Sequence, residues 1–66
     1  MDIRVKMRDL IETDGRKQVT VAKAIGMTPA QLSAVLNLKR KVEADEFLSF
    51  CKYMGINPND FKKDSA

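Results

Sequence analysis

Between Ile25 and Gln31 the chain reads Ile-Gly-Met-Thr-Pro-Ala-Gln, a helix stop and a helix start with almost nothing between them. Gly26 can enter left-handed backbone without a Cβ penalty, which is how many helices end. Two residues later Thr28 is a strong N-cap. Pro29 then takes the first helical position, where its missing N–H costs nothing. Gln31 completes a Thr-x-x-Gln capping box. Helices joined by so short a link must cross steeply. A chain of 66 residues buries only about 60% of the surface its unfolded form exposes. Its core must therefore form around this corner.

Apolar spacing extends the pattern in both directions. Ile3, Met7, Leu10 and Ile11 line one face of a first helix, with Asp2 as N-cap and Gly15 as the stop; Val5 lies off that stripe. A second helix runs over the Gln18 region with Val21, Ala22 and Ile25 inward, and its start is poorly marked because Lys17 is not a favoured cap. The third covers about 29–36, with Leu32, Val35 and Leu36 inward. Residues 37–44 read as a basic loop without Gly or Pro. A fourth helix starts at Asp45, with acids in its first turn where the helix dipole favours them. Its inner stripe is Phe47, Phe50, Cys51 and Met54, and Gly55 closes it. Asn57 and Pro58 open one or two turns of a fifth helix, with Phe61 folding back onto the core and residues 63–66 frayed. The fold class is all-α, one compact domain of four to five short helices, with the helix-turn-helix unit at about 18–37.

Several function classes fall away. There is no histidine and only one cysteine, Cys51, which excludes histidine-based acid–base catalysis, most zinc sites and an internal disulfide. Cys51 sits on the apolar stripe and reads as a buried structural thiol. The four methionines read as core filler, and Glu43, Asp45 and Glu46 suit a helix N-terminus better than a metal site. No activated nucleophile and no phosphate-cradling glycine loop is visible, so an enzyme, a cofactor and a small-molecule substrate are not expected. No apolar run approaches the roughly 18 residues that span a membrane, and no export signal opens the chain; the expectation is a cytoplasmic protein.

The net charge of +3 matters less than its placement. From Gly15 to Val42 stand Arg16, Lys17, Lys23, Lys39, Arg40 and Lys41, with no Asp or Glu among them. An acid-free basic block points to a polyanion.

The steep corner imposes a residue pattern. Counting from Gln18, apolar residues are needed at the fourth, eighth, tenth, fifteenth and eighteenth positions. The chain supplies Val21, Ile25, Met27, Leu32 and Val35. The fifth must be small where the helices touch, and is Ala22; the ninth needs positive φ, and is Gly26. With this pattern, with Asn37 after the third helix and with Tyr-Met-Gly-Ile-Asn-Pro-Asn-Asp-Phe at 53–61, the chain resembles the phage repressor and Cro-like helix-turn-helix proteins, also called XRE-like. The resemblance runs from about Met7 to Phe61.

That resemblance implies a DNA-binding transcription regulator on a lambda-repressor-like fold, with the third helix in the major groove of double-stranded DNA. The groove-facing positions it implies are Thr28, Pro29, Ala30, Ser33, Ala34 and Asn37, with Gln31 one position off that face. Gln18 would donate to a phosphate. Pro29, Ala30 and Ala34 offer only apolar contact, for instance to thymine methyls. The helix would read sequence weakly, and phosphates would supply most affinity through Lys39, Arg40 and Lys41 after it and Arg16, Lys17 and Lys23 before it. Each position has a plainer reading. Thr28 and Gln31 form a capping box with or without DNA, Asn37 can simply cap the helix end, and Lys39–Lys41 can be a solvated loop.

The small residues on the reading face leave a second function open, a protein-interaction module of antitoxin or adaptor type that keeps the fold without reading DNA. Members of the family usually bind two half-sites as a symmetric dimer. No separate oligomerisation domain is expected in these 66 residues, so Leu48, Tyr53, Ile56 and Phe61 are the candidates for a homodimer surface; otherwise they belong to the core. One departure from the family stands out. Many phage repressors carry an Arg late in the first helix and a Glu at the end of the third, as a partly buried ion pair. Those slots hold Ile11 and Leu36 here, so an apolar contact between the two is expected in its place.

Overall fold

The computed structural model describes residues 2–60, which form four α-helices and no strand. Helix α1 spans Ile3–Asp14, α2 Gln18–Ala24, α3 Pro29–Leu36 and α4 Ala44–Met54. The expected all-α class and helix order hold.

Each helix end has an identifiable cause. Asp2 caps α1 by accepting from the Arg4 amide at 2.9 Å. Gly15 ends it at φ 69°, with the Arg16 amide returning to the Ile11 carbonyl at 3.2 Å. Lys17 precedes α2 with no side-chain cap, as its residue type suggests. Gly26 ends that helix at φ 77°, and the Met27 amide bonds the Ala22 carbonyl at 2.9 Å. This six-to-one bond is the helix-ending arrangement that needs a left-handed residue. In α3 the capping box is reciprocal. The Gln31 amide donates to Thr28 Oγ1 at 3.1 Å, and the Thr28 amide donates to Gln31 Oε1 at 3.0 Å. The link between α2 and α3 turns the chain through 109°, within the helix-turn-helix range.

Two ends differ from expectation. Helix α4 starts one residue earlier than Asp45, at Ala44, with Glu43 as its cap residue. The Glu43 amide is taken by Glu46 Oε1 at 2.9 Å, so the acid at the third helical position supplies a bond that an Asp45 start would leave unmade. The end of α3 is the larger surprise. Without a glycine in the loop, Leu38 takes the left-handed conformation, at φ 62°. The Lys39 amide then reaches the Ala34 carbonyl at 2.8 Å and the Leu38 amide the Val35 carbonyl at 3.1 Å. Left-handed backbone costs a residue with a Cβ roughly 1–2 kcal/mol, here offset by the carbonyls those bonds satisfy.

The core is one cluster of Met7, Ile11, Val21, Ala22, Ile25, Met27, Leu32, Val35, Leu36, Phe50 and Cys51. All of its members were legible as inward positions. Helix α3 packs on α2 and α1, and α4 packs on α2. Ile11 and Leu36 are 2% and 3% exposed and share this cluster, so neither slot holds room for a solvated charge. Burial also pushes the Cys51 thiol pKa up, in keeping with a structural residue. After Gly55, Asn57 Oδ1 accepts from the Asn59 amide at 2.9 Å and the Asn57 carbonyl from the Asp60 amide at 3.0 Å. That opens the expected last turn; Phe61 and the tail at 63–66 lie outside the described residues.

Candidate nucleic-acid interface

Burying Leu32, Val35 and Leu36 leaves the opposite side of α3 to solvent. Thr28, Pro29, Ala30 and Gln31 are exposed, while Ser33 and Ala34 are half-buried. These residues occupy the first two turns of α3 and its cap, so one surface carries them. It has no charged residue of its own, and its polar atoms are partly engaged. Thr28 Oγ1 and Gln31 Oε1 are committed to the capping box. The Gln31 amide nitrogen makes no bond among the described residues.

At the other end of the helix, Asn37 Nδ2 donates to the Ser33 carbonyl at 2.9 Å and to Ser33 Oγ at 3.3 Å. Asn37 thus closes the helix end, the plainer of its two readings, and keeps its own carbonyl oxygen available. Gln18 is exposed at the first position of α2. Beside it Val19 is 60% exposed, and Leu38, next to Asn37, is 49% exposed. Neither was singled out from the sequence. No residue pattern after Leu36 marks Leu38 as the one that turns left-handed.

The basic block divides into two kinds of residue. Lys17, Lys23, Lys39 and Lys41 are exposed and carry no ion pair among the described residues. The two arginines are engaged. Arg16 pairs with Asp14 and lies over the Tyr53 ring, 4.9 Å from its centroid, close enough for a cation–π attraction. Arg40 makes a forked pair with Glu46, Nη1 to Oε1 at 3.1 Å and Nη2 to Oε2 at 3.2 Å. Arg40 holds the Glu46 carboxyl below the usual carboxylate range, with help from the Glu43 amide. A span free of acids in sequence is therefore not free of them in space.

Of the residues considered for a homodimer surface, Leu48 is 55% exposed, whereas Tyr53 and Ile56 are half-buried against the core. Phe61 lies outside the described residues. No group of His, Cys, Asp and Glu among the described residues could hold a metal ion. Among the described residues, no single helix is long and apolar enough to cross a membrane.

A family model described as a Cro/C1-type HTH DNA-binding domain matches residues 6–65. No curated protein and no solved structure matches the chain.

Proposed function

This chain belongs to the Cro/C1-type helix-turn-helix DNA-binding family, and from that premise we propose that it regulates transcription by laying α3 in the major groove. Thr28, Pro29, Ala30, Ser33 and Ala34 then face the bases. Gln18 and the exposed lysines Lys17, Lys23, Lys39 and Lys41 face phosphates. The observation that carries this reading is the neutral, solvent-facing side of α3 flanked by cations that have no partner among the described residues. A small, uncharged surface can approach base edges closely, while the flanking lysines replace condensed counterions along the backbone. Of the exposed polar groups on this side, the Thr28 hydroxyl hydrogen, the Gln31 amide nitrogen and the Asn37 carbonyl oxygen are left to bond a base edge or a phosphate. Sequence preference is accordingly modest, and affinity depends steeply on salt. A pair of half-sites needs a second copy, and Leu48 on α4 is the apolar side chain most exposed for that contact among the candidates described.

A second reading is favoured by the exposure of Val19 and Leu38. Apolar side chains exposed at the start of α2 and just after α3 suit a protein partner as well as thymine methyls, as in an adaptor that keeps the fold. Duplex titration at a series of salt concentrations separates the two. A DNA-binding regulator loses affinity by orders of magnitude as salt rises through the physiological range. An adaptor binds duplex weakly throughout, with no such slope.

A further inference from the structure

The loop between α3 and α4 carries three consecutive cations, Lys39, Arg40 and Lys41, yet they stand in different surroundings. Lys39 and Lys41 are exposed and unpaired among the described residues. The Arg40 side chain is 33% exposed and its partner Glu46 17%. Two parallel N–H···O bonds join them, the geometry in which a guanidinium binds a carboxylate most strongly. The same Glu46 oxygen that takes Arg40 Nη1 also accepts from the Glu43 amide at 2.9 Å. One carboxylate therefore caps α4 and grips the loop. From the other side, Arg4 Nη1 of α1 donates to the Arg40 carbonyl at 3.1 Å. Arg4 is itself oriented by Asp2, Nη2 to Oδ2 at 2.6 Å. Residue 40 is thus held by α4 through its side chain and by α1 through its backbone.

We infer that Arg40 is an internal brace, positioned by Glu46, and that Lys39 and Lys41 alone carry the phosphate contacts of this loop. The inference rests on the DNA-binding reading and assigns unequal roles within it. To offer a phosphate its paired edge Arg40 must give up two charge-assisted bonds, and at its remaining N–H groups a phosphate meets the neighbouring Glu46 carboxylate as a second anion. The lysines make no such exchange. A brace that fixes residue 40 also fixes the backbone from which its neighbours project, so less backbone freedom is lost on binding.

The test compares salt dependence with affinity. Replacing both partners, Arg40→Gln with Glu46→Gln, keeps the net charge, and the new amide oxygen at position 46 can still serve the Glu43 amide. We expect this double variant to lose affinity by the same factor at every salt concentration while keeping the wild-type slope. Lys39→Gln and Lys41→Gln should each flatten the slope of log Kobs against log salt by about 0.9. Arg40→Lys keeps the charge but not the fork, so it should track the double variant. In urea unfolding, Arg40→Gln and Glu46→Gln should be coupled, and Lys39→Gln and Glu46→Gln should not. A double variant whose slope flattens as much as a lysine variant's would make Arg40 a phosphate contact and overturn the inference. Arg40→Lys binding like wild type would overturn it too. A wild type without salt-dependent duplex binding would instead sink the DNA-binding reading and the lysine roles with it; the brace would then stand or fall on the unfolding cycle.

Discussion

Placing a single charge at position 11 tests how α1 meets α3. Ile11 is 2% exposed and Leu36 3%, and both belong to the one core cluster. Ile11→Arg buries a guanidinium with no carboxylate beside it. Breaking a buried ion pair by leaving one charge unmatched costs about 3–5 kcal/mol. A folded domain is stable by about 0.05–0.15 kcal/mol per residue, or roughly 3–10 kcal/mol for a chain of this length. The substitution therefore removes a third of the stability at the least and all of it at the most. Leu36→Glu alone should act in the same direction. If the two side chains share one site, the double variant should recover part of the loss, with a coupling of about 0.5–3 kcal/mol. The assay is urea unfolding of the four proteins by circular dichroism in the cold, where weak folds remain measurable. Additive losses, with no coupling, would refute the contact and with it the alignment that set these two positions opposite each other.

Other perturbations follow from the same geometry. Thr28→Ala removes the acceptor for the Gln31 amide and should cost about 0.5–2 kcal/mol; unchanged unfolding with lost DNA binding would make Thr28 a contact rather than a cap. A Cβ at Gly26 would meet nothing within 4 Å, but the backbone is held at φ 77°. Gly26→Ala should therefore cost about 1–2 kcal/mol from conformation alone, and a cost well above that would reveal hidden crowding at the corner. Acid should weaken the fold in a defined window. The Asp2 pKa is lowered from 3.8 to about 2, chiefly by the Arg4 side chain, and that of Glu46 is lowered chiefly by Arg40. The unfolded chain binds these protons more readily than the folded one. Their contribution is thus full above the ordinary carboxylate range and is lost as pH falls through the folded values. Asp2→Asn should flatten the stability profile between pH 3.8 and about 2; an unaltered profile would count against the Asp2–Arg4 pair.

The helices and the core were legible because their signals are local. Gly15, Gly26 and Gly55 each mark a helix end, Thr28–Gln31 marks a start, and the apolar spacing fixes the inward faces. Ala22 could be read as a point of close approach because the steep corner allows nothing larger there. Signals that depend on distant parts of the chain stayed hidden. Arg40 lies near the end of an acid-free run, and spacing does not show that Glu46, rather than Glu43 or Asp45, takes its side chain once the loop folds back on α4. Arg4 lies thirty-six residues from the carbonyl it holds, and no spacing rule connects them. Leu38 is hidden for a different reason. A leucine has no preference for left-handed backbone, and only the need to satisfy the last carbonyls of α3 puts it there. On the α3 face, Gln31 and Asn37 could each be read as cap or contact, and their bonds within the fold support the cap without removing the remaining polar atoms from reach.

The most direct test of the central claim is amide chemical-shift mapping by NMR as a short duplex is added at low salt. Shifts should concentrate at Gln18, at Thr28, at Ala30–Ala34 and at Lys39 and Lys41, weakening together as salt is raised. Shifts confined instead to the exposed side of α1, or no shifts at low salt, would contradict the placement of α3 against DNA.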